Sequence, residues 1–279
     1  MTPRLILARS ADGHCSHLRL HGGAPDGPRL LWLPALGVAA HKYDGFGQAL
    51  AQAGITCAVH EWRGNGSSSL RARRGVDWGY RELLNHDLPS SLSACGGQGR
   101  WHFGGHSLGG QLAAMSAALQ PEACAGVVLL ATGVPDTRHF RGRQRLGIAL
   151  FVHSLPLMTH LLGYYPGKRL GFAGREAAQL MRDWSATARS GRYLAYGDGP
   201  SMDARLAHLD APALGLRLRD DWLVPDGALT ALMEKMGRGA RQRHVLDPDQ
   251  LGVPADHFRW LRQPDALAQR IAAWMRANP

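Results

Sequence analysis

Cysteine, lysine and aromatic residues are all scarce in this 279-residue chain, and each shortage removes a class of protein. The four cysteines, Cys15, Cys57, Cys95 and Cys124, lie far apart with no CxxC and no histidine pair at zinc spacing. That excludes a thioredoxin-like redox site and a zinc knuckle, and unpaired thiols fit a reducing, cytoplasmic compartment. Of 32 basic residues only Lys42, Lys168 and Lys235 are lysines; the arginines run from Arg4 to Arg276 with no long basic run, the densest stretches being 71–74, 138–145 and 238–243. The formal net charge of +10 raises the question of a polyanionic partner. A nucleic-acid module concentrates its charge on one element and interleaves aromatics that stack on bases. Here only 7% of residues are aromatic and the charge is dispersed, so a solvated basic surface is expected and no nucleic-acid partner.

Long apolar runs are missing too. The opening residues have too short an apolar run before Arg9 and Asp12 for a signal peptide. The most apolar stretch, 146–162, is interrupted by His153, Pro156 and His160, short of the roughly 20 apolar residues of a spanning helix. Neither export nor a membrane span is expected. Gly167-Lys168-Arg169 lacks the Ser/Thr and the upstream glycine of a phosphate loop, and no repeat recurs at the periods of solenoid proteins.

With 45% hydrophobic and 19% charged residues, the composition is that of one large globular unit. Alternating segments at 5–8 and 17–20 flank Asp12-Gly13 and read as a hairpin. Strands are then expected at 30–33, 55–59, 100–103, 127–131, 213–218 and 243–246, and helices at 43–53, 80–95, 108–119, 227–236 and 264–277. Such alternation implies an α/β fold with a mostly parallel, doubly wound sheet covered on both faces. The rhythm breaks between Gly133 and Arg205, where Leu/Met-rich helical pieces, Pro156, Pro166 and several aromatics intervene. The expected organisation is a core of 1–132 and 206–279 with a helical cap inserted at 133–205. Leu150, Phe151, Leu155, Leu157 and Met158 are expected as core of that cap or as substrate wall.

The chemistry-bearing feature is Gly105-His106-Ser107-Leu108-Gly109. A GxSxG pentapeptide becomes informative when a strand precedes it and a helix follows, because the serine then sits on a sharp, strained turn that only small neighbours permit. Trp101-His102-Phe103 supplies the strand and 108–119 the helix. A serine hydroxyl needs a base to take its proton and a group to orient that base. After the 213–218 strand only His244 and His257 remain among the 14 histidines. His244 lies within a strand, whereas His257 lies in the loop before the last helix, which suits a loop-borne base. For the acid, Asp220 and Asp221 end a strand side by side and point in opposite directions. The residues alone leave the two open.

These motifs together resemble the α/β-hydrolases, in particular bacterial hydrolases of the serine aminopeptidase-like and monoglyceride-lipase-like branch. The resemblance spans nearly the whole chain. Leu33-Pro34-Ala35-Leu36-Gly37-Val38, with Tyr43 and Phe46 after it, stands in the place of the family's oxyanion loop. Glu61-Trp62-Arg63-Gly64-Asn65-Gly66-Ser67-Ser68 resembles the DxRGxGxS turn, and Asp256-His257-Phe258-Arg259 the GHxxFR segment around the base. Asp221-Trp222-Leu223-Val224-Pro225 is similar to the acid turn in which the aspartate lies four residues before a proline, which favours Asp221. Pro34-Ala35 replaces the usual His-Gly, Glu61 the usual aspartate, and the glycine before His257 is absent. The first change keeps a main-chain amide, all that an oxyanion donor requires. The resemblance implies a serine hydrolase of carboxylic esters or thioesters, with Ser107, Asp221 and His257 as triad and the Leu36 and Leu108 amides as oxyanion donors. His106 has the place of a residue supporting the nucleophile. No metal or organic cofactor is implied, and the partner expected is a small acyl substrate. Acyl transfer by the same triad, and a noncatalytic ligand-binding protein of this fold, are the alternatives.

Overall fold

The computed structural model describes residues 2–96 and 99–279. Strands β1 (Arg4–Arg9) and β2 (Cys15–His21) form the expected antiparallel hairpin. The chain then lays down β3 (Arg29–Leu33), β4 (Thr56–Val59), β5 (Trp101–His106), β6 (Cys124–Leu130), a short pair β7 (Tyr164–Pro166) and β8 (Arg175–Ala177), and finally β9 (Ala213–Leu218) and β10 (Arg241–Leu246). Eight strands make one sheet in the order β1-β2-β4-β3-β5-β6-β9-β10, antiparallel at the β1/β2 and β2/β4 pairings and parallel across the rest. The longer helices are α1 (Asp44–Gln52), α2 (80–94), α3 (Leu108–Leu119), α4 (Gly142–Leu162), α5 (Ala178–Ser190), α6 (Asp226–Lys235) and α7 (Asp265–Ala277).

Strand alternation divides the core in two. Leu31 and Leu33 of β3, with Val127 and Leu129 of β6, face one layer and pack with Leu112 and Met115 of α3 and Leu229 and Leu232 of α6. Leu30 and Trp32, with Val128 and Leu130, face the other and meet Phe46 and Leu50 of α1 and Ile271 and Met275 of α7. Strands buried on both faces read as unbroken apolar runs, as β6 does throughout. The doubly wound, mostly parallel architecture expected from the alternation is thus present.

Two local features differ from the sequence reading. Helix α2 is not uniform: Leu83–Asp87 is a π turn in which the Leu88 N–H donates to Leu83 O. Pro89 follows directly and has no N–H to continue the regular pattern, so the wider turn absorbs the mismatch. Between β6 and β9 the segment is not purely helical, since β7 and β8 pair antiparallel as a separate two-stranded sheet. Left-handed glycines at Gly163 and Gly171 end the flanking helices and free Tyr164 and Tyr165 for a strand. No strand from this region joins the large sheet.

The loop after β4 is held by a buried ionic network. Arg63 donates to Asp87 (2.6 and 2.9 Å) and to Asp12 (2.6 Å), while His14 bridges Asp87 and Ser68 at 3.0 Å each. Burial alone would raise the Asp87 carboxyl, but hydrogen bonds from His14 and Arg63 hold it well below the usual carboxylate range. Removing the cation would strand that charge in the interior. Arg63→Ala is therefore expected to lose about 3–5 kcal/mol of unfolding free energy by urea titration; a loss within about 0.5 kcal/mol, typical of a surface change, would contradict the account.

Candidate active site

Ser107 follows β5 directly and caps α3, with φ 58° and ψ −123°, a conformation costly for any residue with a side chain. Packing over-determines it. A Cβ on Gly105 would lie 2.3 Å from the Gly109 backbone, and one on Gly109 would lie 2.0 Å from Leu33 O, so helix and strands approach too closely for any other residue. The Ser107 N–H donates to Leu130 O, and its carbonyl accepts from the Gly110 N–H and the Thr132 hydroxyl. The backbone is pinned on both sides of the side chain.

Asp221 follows β9, and its Oδ2 lies 2.7 Å from Nδ1 of His257. Its other oxygen accepts from the Leu223 N–H at 2.9 Å, and the carboxylate is buried. Asp220 is exposed and its N–H donates to Ala255 O, so of the two adjacent carboxylates the structure brings Asp221 to the histidine. His257 is 6% exposed, with its carbonyl accepting from Trp260 Nε1 and its ring edge-on to Phe258. His244 stays in β10, paired with Leu216.

His106 is fully buried, its ring centroid 4.7 Å from that of His257. The Tyr43 hydroxyl accepts from the Ala35 N–H and lies 2.9 Å from His106 Nδ1, within hydrogen-bond distance. Burial pushes the His106 pKa well below its usual value, so the ring stays neutral beside His257. The loop after β3 is tied down in the same manner. Trp62 Nε1 donates to Pro34 O at 2.8 Å, and Glu61 accepts from Ala40 and Ser67 N–H groups. The Gly37 backbone, at φ 73°, touches Gly174: a Cβ there would lie 2.2 Å from Gly174 N and 2.9 Å from a carboxylate oxygen of Glu176. Glu176 Oε1 in turn accepts from the Gly174 N–H at 2.8 Å.

Ser107, His257, Leu36 and Leu108 all line one cavity of about 970 Å³. Phe140, Ile148, Phe151, Phe172 and Trp184, all from the region between β6 and β9, make its far wall. Of the apolar residues expected there as core or wall, Leu155 is buried and Phe151 lines the cavity, but Leu150 and Leu157 face away and are exposed. Among the described residues no cluster of three or more His, Cys, Asp or Glu side chains is arranged to hold a metal ion. The roles of Tyr43, Trp62 and Glu176 escaped the sequence reading. For Glu176 a signal existed, since it is the only acid between Asp136 and Asp183.

Comparison with known proteins bears on the same elements. A family described as alpha/beta hydrolase fold matches residues 28–161. No curated protein sequence matches the chain. Among solved structures, a hydrolase from Pseudomonas aeruginosa PA01 is 19% identical with a TM-score of 0.63, covering 98% of each chain. The monoacylglycerol lipase of Paleococcus ferrophilus is 16% identical with a TM-score of 0.65, covering 95% of this chain and 99% of that one. A thermophilic esterase from Thermogutta terrifontis is 17% identical with a TM-score of 0.63, covering 99% of each. At these identities the likeness is one of fold.

Glu176 makes the contact between β8 and the β3 loop sensitive to pH. Burial raises its carboxyl from 4.5 to about 7, against the opposing hydrogen bond from Gly174. The folded protein therefore favours the neutral acid. The stability this contributes is complete below the unfolded value near 4.5 and is lost as pH rises through about 7. Glu176→Gln, which cannot ionise, is expected to remove roughly 3 kcal/mol of that decline between acidic and mildly alkaline pH in urea unfolding. Equal pH slopes in the two proteins would contradict the assignment.

Proposed function

We propose that the chain, whose residues 28–161 match the alpha/beta hydrolase fold family, is a serine hydrolase cleaving a carboxylic ester or thioester of a small, hydrophobic acyl substrate. The observation that carries this reading is the 2.7 Å bond between His257 and buried Asp221, at a cavity that also holds Ser107 in its strained turn. In the proposed reaction Ser107 Oγ attacks the acyl carbonyl while His257 Nε2 takes the hydroxyl proton. The bond to the leaving group breaks as His257 returns that proton to it, leaving the acyl group on Ser107. Water, deprotonated by the same nitrogen, then attacks the acyl-enzyme and releases the acid and the free serine. Asp221, accepting from Nδ1–H, keeps Nε2 unprotonated in the resting state and stabilises the imidazolium.

The oxyanion is assigned to two main-chain amides. Leu108 is the first residue of α3, whose leading N–H groups have no partner within the helix and carry the positive end of its dipole. The Ala35 N–H is occupied by Tyr43, which supports the next amide, that of Leu36, as the second donor. The residues between β6 and β9 act as a cap, and their aromatic wall supports a hydrophobic acyl group over a polar one. No step requires a metal or organic cofactor.

Turnover of p-nitrophenyl esters of graded chain length tests the reading. Wild-type protein is expected to hydrolyse them, Ser107→Ala to fall to background, and Asp221→Asn to lose roughly 10⁴-fold in kcat through the wrong histidine tautomer. Hydrolysis that survives Ser107→Ala would overturn the proposal.

A further inference from the structure

Helix α4 presents an apolar stripe to solvent. Leu146, Leu150, Leu157 and Leu161 are 63, 65, 64 and 60% exposed, and at 100° per residue they fall within one narrow arc running roughly 22 Å along the axis. A helix leaves such a stripe bare only when something outside the fold covers it. The opposite face is fully used: Val152, Leu155 and Thr159 are buried, and Ile148 and Phe151 line the cavity. By length and composition α4 could cross a bilayer, but its packed inner face ties it to the rest of the molecule along its length.

Charge says what covers the stripe. Between Asp136 and Glu176 the chain carries seven basic residues, Arg138, Arg141, Arg143, Arg145, Lys168, Arg169 and Arg175, and no acid. Arg141 is the N-cap of α4, Arg143 and Arg145 lie in its first turns, and no acidic residue offsets them there. Cations at a helix N-terminus oppose the helix dipole, so this placement costs the helix stability and needs another purpose. All three are exposed, as are Lys168 and Arg169 beyond the other end of the helix. At that end Arg74 also donates to Leu161 O. Trp222, 63% exposed, sits beside the N-terminal half, its carbonyl accepting from Gln144, and it also lines the cavity.

We propose that the outer face of α4 is a docking surface for an anionic lipid bilayer: the helix lies in the plane of the interface with its leucines among the acyl chains and the flanking arginines on the headgroups. An apolar stripe with cations clustered at its two ends fits an in-plane amphipathic helix on an anionic surface. The inner face of the same helix walls the cavity, so docking would set the cavity against the membrane. The proposal concerns binding and stands whether or not the serine chemistry does.

Flotation with vesicles of pure phosphatidylcholine, and of phosphatidylcholine with about 30% phosphatidylglycerol, tests it. Wild-type protein is expected to float with the anionic vesicles, to remain behind with the neutral ones, and to be released by salt. Leu150→Ser with Leu157→Ser should weaken binding at least about 10-fold, and Arg143→Gln with Arg145→Gln roughly 30-fold. Because all four residues are exposed and the two arginines oppose the helix dipole, neither variant should lose thermal stability, which separates lost binding from lost folding. Absence of wild-type flotation, or full binding by the leucine variant, would overturn the proposal. So would a wild-type dimer that the leucine variant converts to monomer without any flotation, since a second copy would then cover the stripe.

Discussion

The close approach of helix α3 to strands β3 and β5 is the constraint on which the rest of the site depends. It is possible only because Gly105 and Gly109 lack a Cβ, which would lie 2.3 and 2.0 Å from neighbouring backbone atoms. Bringing the helix so near forces Ser107 into a left-handed backbone, and that conformation lifts its side chain clear of the turn. The helix N-terminus is thereby delivered beside the hydroxyl, so the proposed nucleophile and one proposed oxyanion donor come from a single packing event. The strain is supported by the rest of the fold, through bonds donated by Thr132 and Gly110 to the Ser107 carbonyl and by the Ser107 N–H to Leu130 O.

The other parts of the site arrive on separate loops at the carboxyl ends of the parallel strands, where crevices form in open α/β sheets. Each loop has its own buried anchor. The β3 loop is held by Tyr43, Trp62 and the close contact of Gly37 with Gly174. The loop after β4 is held by the Arg63–Asp87 network. The β9 and β10 loops hold one another through Asp221 and His257. Tyr43 joins two of these parts, since one hydroxyl satisfies both the Ala35 amide and the His106 ring.

What could be read from the sequence was what is local. The strand–Gly-x-Ser-x-Gly–helix unit at 101–119 and the β9 and α6 elements follow from glycine spacing and apolar runs. The residues alone left Asp220 and Asp221 open and only the resemblance of the 221–225 turn favoured Asp221, because the choice is made by contacts with Ala255 and His257, elsewhere in the chain. The β7–β8 pair was hidden by strands only three residues long, set between glycine-ended helices. Leu150 and Leu157 have the composition of a core, and composition does not record that no neighbour covers them. Glu176 matters because, beside its local bond to the Gly174 N–H, it meets the backbone of Gly37 across the fold, a tertiary fact that its neighbours in sequence do not carry.

Covalent labelling reads the reactivity of Ser107, which we propose as an activated nucleophile, without knowledge of the substrate. After treatment of the folded protein with a fluorophosphonate, intact mass and peptide mapping should find a single phosphonyl adduct on Ser107, formed rapidly in the wild type and far more slowly in His257→Ala. Failure of the wild-type protein to label, or an adduct on any other residue, would contradict the account.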